Sequence, residues 1–179
     1  MRKGKTLSTI SWLIFVLAIL TLLSCIMFSK IEVSGVSMNP TLKSGEYGIT
    51  DNFTYRIFGV HRFDIITIEL DDKTIVKRVV GLPGEKLYYD VDGLHVDGHL
   101  IEEDFIDESM IKKTITNTPL CTTGVTLGED EYYVLGDNRS NSTDSRYIGP
   151  IKAEQIKSRG FIIYGDTGSR FRLPRFIGW

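Results

Sequence analysis

Residues 64–101, DIITIELDDKTIVKRVVGLPGEKLYYDVDGLHVDGHLI, decide the fold class. Residues 64–70 (DIITIEL) and 75–80 (IVKRVV) are runs of β-branched side chains, which are stiff and pack well on a pleated surface. Lys73-Thr74 reads as the turn between them, and Gly81, Pro83 and Gly84 close the pair. Residues 86–91, 94–96 and 99–101 follow as three further strands, with Asp92-Gly93 and Asp97-Gly98 as two-residue hairpin turns. Working outward, residues 31–34 alternate before Gly35 and Asn39-Pro40 break the run, and residues 132–135 (YYVL) and 160–164 (GFIIY) read as strands. Residues 151–157 read as a short helical turn. Residues 102–130, rich in Glu, Asp and Thr, read as a surface excursion. So many short strands punctuated by Gly and Asp predict a mainly β domain, a folded-over, barrel-like antiparallel sheet.

Ahead of this domain lie 24 residues, 6–29, without Asp, Glu, Lys or Arg. A helix of that length spans roughly 36 Å, enough to cross a hydrocarbon core of about 30 Å. A cleavable signal peptide has a shorter apolar stretch and a small-x-small site, whereas Met27 and Phe28 stand at its end here. Leu22-Leu23-Ser24-Cys25 offers a second alternative, a lipidation signal. The reading adopted is an uncleaved transmembrane anchor. Arg2, Lys3 and Lys5 precede it, so residues 1–5 are expected in the cytoplasm and residues 30–179 outside the plasma membrane. With those three removed, 18 of the 21 basic residues face 23 acidic ones, a net of −5 that argues against nucleic acid as a partner. Cys25 in the span and Cys121 in the domain give no expectation of a disulfide.

Three segments carry candidate chemistry. Ser37 follows a strand beside Gly35 and an Asn-Pro turn, where a hydroxyl can stand near free backbone N–H groups, as an acyl-transfer nucleophile needs. A serine there can equally serve as a turn cap. Lys77 shares a strand face with Ile75 and Val79, so it either loses hydration and becomes a usable base or reaches past its neighbours into water. Residues 136–146 (GDNRSNSTDSR) are too dense in polar groups for a plain hairpin. They could hold a cation, or pair Asp144 with Arg146 and orient a lysine through a hydroxyl.

Taken together and in order, these segments resemble the type I signal peptidases. Ser37-Met38-x-Pro40-Thr41-Leu42 resembles their nucleophile box, residues 77–85 (KRVVGLPGE) their lysine box, and Gly136-Asp137-Asn138-Arg139 with Ser142-x-Asp144-Ser145-Arg146 their third box. The resemblance implies Ser37 as nucleophile, Lys77 as general base and Ser142 as the hydroxyl orienting Lys77, with Asp144 and Arg146 as a supporting ion pair; no histidine, metal or cofactor is needed. It also implies that Val33, Met38 and Val76 line shallow pockets for small side chains at the first and third residues before the cut. Two departures stand out. Arg62-Phe63-Asp64 replaces the family's Arg-Gly-Asp, and Gly35 occupies the place where some relatives carry an oxyanion-binding serine.

Ser37 lies seven residues past Lys30, at most roughly 25 Å of chain, so the serine is tethered near the bilayer where a signal peptide's cleavage site emerges. The expected partners are therefore the signal peptides of exported preproteins and the lipid bilayer, with the chain acting as a monomer. Two rival functions are a non-catalytic assembly module for surface proteins and a Ser-Lys protease that cuts only itself or one dedicated partner. His61, His95 and His99 are read as structural, since no third metal ligand matches the spacing of the last two. The tail from Arg170 to Trp179 interleaves basic and aromatic residues, which suits either a membrane surface or a terminal strand.

Overall fold

The computed structural model describes residues 3–71, 73–115, 118–166 and 175–177. Helix α1, Lys3–Met27, is 25 residues long. Its stretch Thr9–Met27 is apolar and long enough to cross a membrane, and the rest of the chain buries none of it. The helix passes directly into strand β1, Phe28–Glu32, and the Asn52 N–H donates to the Met27 carbonyl at 2.8 Å.

The domain is mainly β. Strands β2 (Glu46–Asp51), β3 (Ile65–Glu69), β4 (Thr74–Gly81), β9 (Glu131–Leu135), β10 (Ile151–Lys152), β11 (Ile156–Asp166) and β12 (Arg175–Ile177) join β1 in one curled antiparallel sheet, an open half-barrel. Its order is β1-β2-β11-β3-β4-β9-β10, with β12 paired to β11. A second sheet, β7-β6-β5-β8, is built from β5 (Lys86–Asp90), β6 (Gly93–Val96), β7 (His99–Ile101) and β8 (Val125–Thr126). Among the described residues there are five α-helices: α1, α2 (Thr54–Phe58), α3 (Glu108–Thr114), α4 (Pro119–Thr122) and α5 (Ser145–Ile148).

The central hairpin β3–β4 forms as its pattern predicts, with Ile66 opposite Lys77 and Ile68 opposite Ile75. Its closure comes earlier than Lys73-Thr74, since Leu70 and Lys73 exchange backbone hydrogen bonds and Thr74 already belongs to β4. The β5–β6 turn is likewise Val91-Asp92, because Asp90 pairs with Gly93. Asp97 (φ 50°) and Gly98 (φ 82°) form the expected left-handed turn between β6 and β7.

The short helical turn expected over residues 151–157 forms as one 3-10 turn at Ala153–Gln155, while the two ends of that range belong to β10 and the start of β11. Ile151 pairs with Tyr132 and Ile156 with Ile68, and both isoleucines are buried, so at those ends sheet pairing overrides the local helical pattern. Between β7 and β9, residues 102–130 carry α3, α4 and β8, with Glu103, Thr114, Thr118, Leu120 and Leu127 buried.

Three core clusters result. One lies under the second sheet around Leu87, Tyr89 and Leu120. A second lies around Ile66, Ile68 and Val79. The third gathers Val33, Met38, Leu42, Ile65 and Phe161. The last two flank the segment of β4 that carries Lys77. The tail forms β12 on β11, where Arg175 reaches buried Glu46 at 2.9 Å while Phe176 is exposed. The remaining tail residues named from the sequence, 170–174 and 178–179, lie outside the described residues.

Candidate active site

Ser37 lies in the loop after β1. Gly35 takes a left-handed φ of 94°, and the chain then folds on itself, with the Leu42 N–H donating to the Met38 carbonyl at 2.9 Å. Met38 and Leu42 are buried and anchor the loop, and Ser37, just before them, is half-buried. The Ser37 N–H takes part in no backbone hydrogen bond among the described residues.

Lys77 approaches from β4. Residues 74–77 pair with β3 on one side, while β9 joins the other side only from Arg78 onward, so this length of strand keeps a free edge. The lysine is 3% exposed, and its Nζ donates to Ser37 Oγ at 2.8 Å and to the Val76 carbonyl at 2.9 Å. Burial strips water from the ammonium and brings its pKa from 10.5 down to about 8; Asp144 and Asp137 pull it upward, and Lys73 pushes it down.

The 136–146 loop arrives from β9. Asp144 is wholly buried and accepts from Arg146 Nε and Nη2, both at 2.9 Å, and from the Gly136 N–H at 3.0 Å. Ser145 Oγ accepts from the Val134 N–H at 3.0 Å, so residues 144–146 fasten the loop to β9. Ser142 Oγ is buried without a hydrogen-bond partner, and no bond joins it to Lys77; the second Nζ hydrogen goes to Val76 instead. A Cβ on Gly136 would run into Ser142 Oγ and the Ser37 carbonyl, so only glycine lets these segments meet.

Two cavities flank the serine and lysine. One, about 200 Å³, lies between residues 31–35 and 74–77 and is lined by Val33, Met38 and Val76 among others. The other, about 350 Å³, shares Gly35, Ser37, Ile75 and Lys77 with the first and extends toward Ile148. None of the three histidines lines either cavity. His61 contacts Arg159 and His95 contacts Asp90. Among the described residues no three His, Cys, Asp or Glu side chains gather as a metal site.

The profile of the family described as "Signal peptidase, peptidase S26" matches residues 6–165. The chain belongs to this family. It is 37% identical to signal peptidase I V of Bacillus subtilis (strain 168) over 142 residues, covering 72% of this chain and 81% of the relative. It is 38% identical to signal peptidase I of Bacillus caldolyticus over 152 residues, 81% and 83% of the two chains. The crystal structure of a signal peptidase I from Enterococcus faecalis V583 matches with 32% identity and a TM-score of 0.45, covering 55% of this chain and 94% of that one.

Further residues of the three segments join them to one another. Arg78 donates from Nε and Nη2 to Asp137 at 2.8 and 2.7 Å, and the Thr41 hydroxyl donates to the same carboxylate at 2.5 Å. One wholly buried carboxylate therefore joins the serine loop, the lysine strand and the third segment. Asn138 adds to the joint, its N–H donating to the Ser37 carbonyl at 3.0 Å and its side chain to the Val36 carbonyl at 3.1 Å. Sequence proximity shows none of these pairings.

Phe63, where the family pattern has glycine, takes φ 71°. Its ring packs edge-on against Phe105 at 5.0 Å, and the Phe105 ring lies 3.9 Å from the Arg78 guanidinium carbon. The Phe63 carbonyl also accepts from Arg78 Nη1 at 2.9 Å. The backbone is thus the one glycine suits, while the ring backs Phe105, whose own ring covers the Arg78 guanidinium. A left-handed residue bearing a Cβ costs roughly 1–2 kcal/mol. Phe63→Gly should therefore unfold at higher denaturant than Phe63→Ala, by about 1 kcal/mol once glycine's unfolded-state freedom is counted. Equal midpoints would mean the backbone at residue 63 bears no strain.

Proposed function

We propose that this chain is a membrane-anchored serine endopeptidase that removes N-terminal signal peptides from exported proteins after small residues. The observation that carries the reading is the 2.8 Å contact between Lys77 Nζ and Ser37 Oγ, made by a buried lysine whose pKa is about 8. Family membership supplies the class of reaction, and this contact supplies the means.

In this mechanism the neutral Lys77 amine accepts the Ser37 Oγ proton as the oxygen attacks the scissile carbonyl. The Ser37 N–H stabilises the resulting oxyanion. Lys77 then gives the proton to the leaving amine, which departs and leaves an ester on Ser37. A water deprotonated by Lys77 attacks that ester, and Ser37 Oγ recovers a proton as the new carboxylate leaves. Ser142, whose buried hydroxyl has no partner, is assigned to orient the amine, and Asp144 with Arg146 to hold its loop.

The cavity lined by Val33, Met38 and Val76 receives the first and third residues before the cut. Its approximately 200 Å³ favours small side chains at both. A substrate strand fits between the free edge of residues 74–77 and the chain leading out of β1. Helix α1 anchors the enzyme in the plasma membrane with residues 1–5 cytoplasmic and the domain outside, and it acts there as a monomer.

The test uses the purified full chain in detergent and a synthetic signal peptide ending Ala-x-Ala. A single cut after the second Ala is expected, lost when that Ala becomes Leu. Because protonated Lys77 cannot act as base, kcat/KM should rise from pH 6 and level off above about pH 8. A cut elsewhere, or a flat profile over that range, would overturn the reading.

A further inference from the structure

The larger cavity beside Ser37 and Lys77 is not used by the residues that precede the cut. Resting on the peptidase reading above, the path of a substrate can be continued into it. An extended chain lying between residues 31–35 and 74–77 places its first and third side chains in the Val33–Met38–Val76 cavity and its scissile carbonyl at Ser37 Oγ. The next residue then passes Lys77 and enters the second cavity, which begins at the same Gly35, Ser37, Ile75 and Lys77.

That second cavity has a definite chemistry. Leu70, Ile75 and Ile148 give it apolar walls, while Lys73, Asn141 and Thr143 bring polar groups to its rim. Among the described residues, Lys73 is the one charged residue in its lining apart from the reacting Lys77. No salt bridge to Lys73 is formed among the described residues, and the side chain is exposed at the β3–β4 turn. Among the described residues no carboxylate lines the cavity, so Lys73 is positioned to meet a charge brought by a ligand.

We propose that this cavity binds the first residue on the leaving side of the cut, and that Lys73 makes it prefer an acidic side chain with an aliphatic stem. Glutamate fits best, its methylenes against Leu70 and Ile148 and its carboxylate toward Lys73. Lysine at the same place sets two ammonium groups against each other.

An exposed ion pair is worth up to about 1 kcal/mol, a factor of roughly five. The test takes the full-length protein in detergent and Ala-x-Ala peptides that differ only in the residue after the cut: Glu, Gln or Lys. For the natural chain kcat/KM should fall in that order, with Glu over Lys by roughly fivefold or more at low salt and less at 0.5 M salt, where screening is strong. Lys73→Glu should invert the Glu:Lys ratio while keeping the preference for Ala over Leu before the cut. A second peptide set varies the residue two before the cut, whose side chain points away from the first and third.

An unchanged Glu:Lys ratio in Lys73→Glu, with cutting still after the second Ala, overturns the subsite and leaves the peptidase reading standing. A Lys73 effect confined to the second residue before the cut also overturns it. If the natural chain cuts none of the peptides, the peptidase reading falls and takes the subsite with it.

Discussion

Lys77→Ala should lower kcat/KM for signal-peptide cleavage by at least about a thousandfold, the scale on which an activated serine loses its base. The side chain is 3% exposed and holds Ser37 Oγ at 2.8 Å, and no histidine stands near enough to replace it. Ser37→Ala should cost as much, and the double variant little more, because the two groups act as one unit. Substituting His61, His95 and His99 together should leave most of the activity.

The same lysine makes a second measurement informative. Its pKa is about 8 in the folded chain against 10.5 when free, so between those values the unfolded chain binds more protons and stability rises with pH. Below pH 8 both states are protonated and the folded state carries the whole penalty of a buried ammonium, roughly 3 kcal/mol. Lys77→Met should therefore melt higher than the natural chain at pH 7 while being inactive. A variant that melts lower at pH 7 would show that the lysine is not held against its preferred charge.

Arg78→Ala should destabilise the domain by about 3–5 kcal/mol, because it leaves the carboxylate of Asp137, 0% exposed, without its cation. Asp137→Ala should do comparable damage from the other side. The paired replacement Arg78→Met with Asp137→Leu should cost far less than either, since it removes both charges and keeps the volume. Thermal unfolding of the full chain in detergent reads all three. A double variant as unstable as the worse single would mean that the joint matters for its shape and not for its charge balance.

Much of the fold was legible because alternation and turn chemistry are local. The β3–β4 hairpin and the β5–β6–β7 meander follow directly from residues 64–101. Strand β2 escaped because Gly48 interrupts its pattern. In the sheet a side chain there would run into the Ile162 carbonyl, so the glycine is a demand of the neighbouring strand and invisible in its own. Strands β8 and β12 are two and three residues long, too short for any period to show.

The excursion at 102–130 hides its main anchor for the same reason. Glu103 meets Arg139 at 2.5 Å inside the protein, 36 residues away along the chain. At the site, Ser37 and Lys77 could be named because their segments resemble a known family. The Arg78–Asp137–Thr41 joint could not be read, since its members lie 59 and 96 residues apart in sequence and nothing local to one announces another.

Helix α1 gives way to β1 with no residue between Met27 and Phe28, and the Asn52 N–H closes the junction on the Met27 carbonyl. An arm this short has almost no swing. On the proposed reading of an anchored peptidase, the cutting groove would ride at one height above the lipid, and enzyme and substrate would meet by gliding within a sheet of bilayer instead of tumbling through a volume. Such a jaw would gauge how far a bond lies from the end of its own greasy segment and would ignore similar bonds higher up in the folded cargo. Its selectivity would come as much from altitude as from the shape of its pockets.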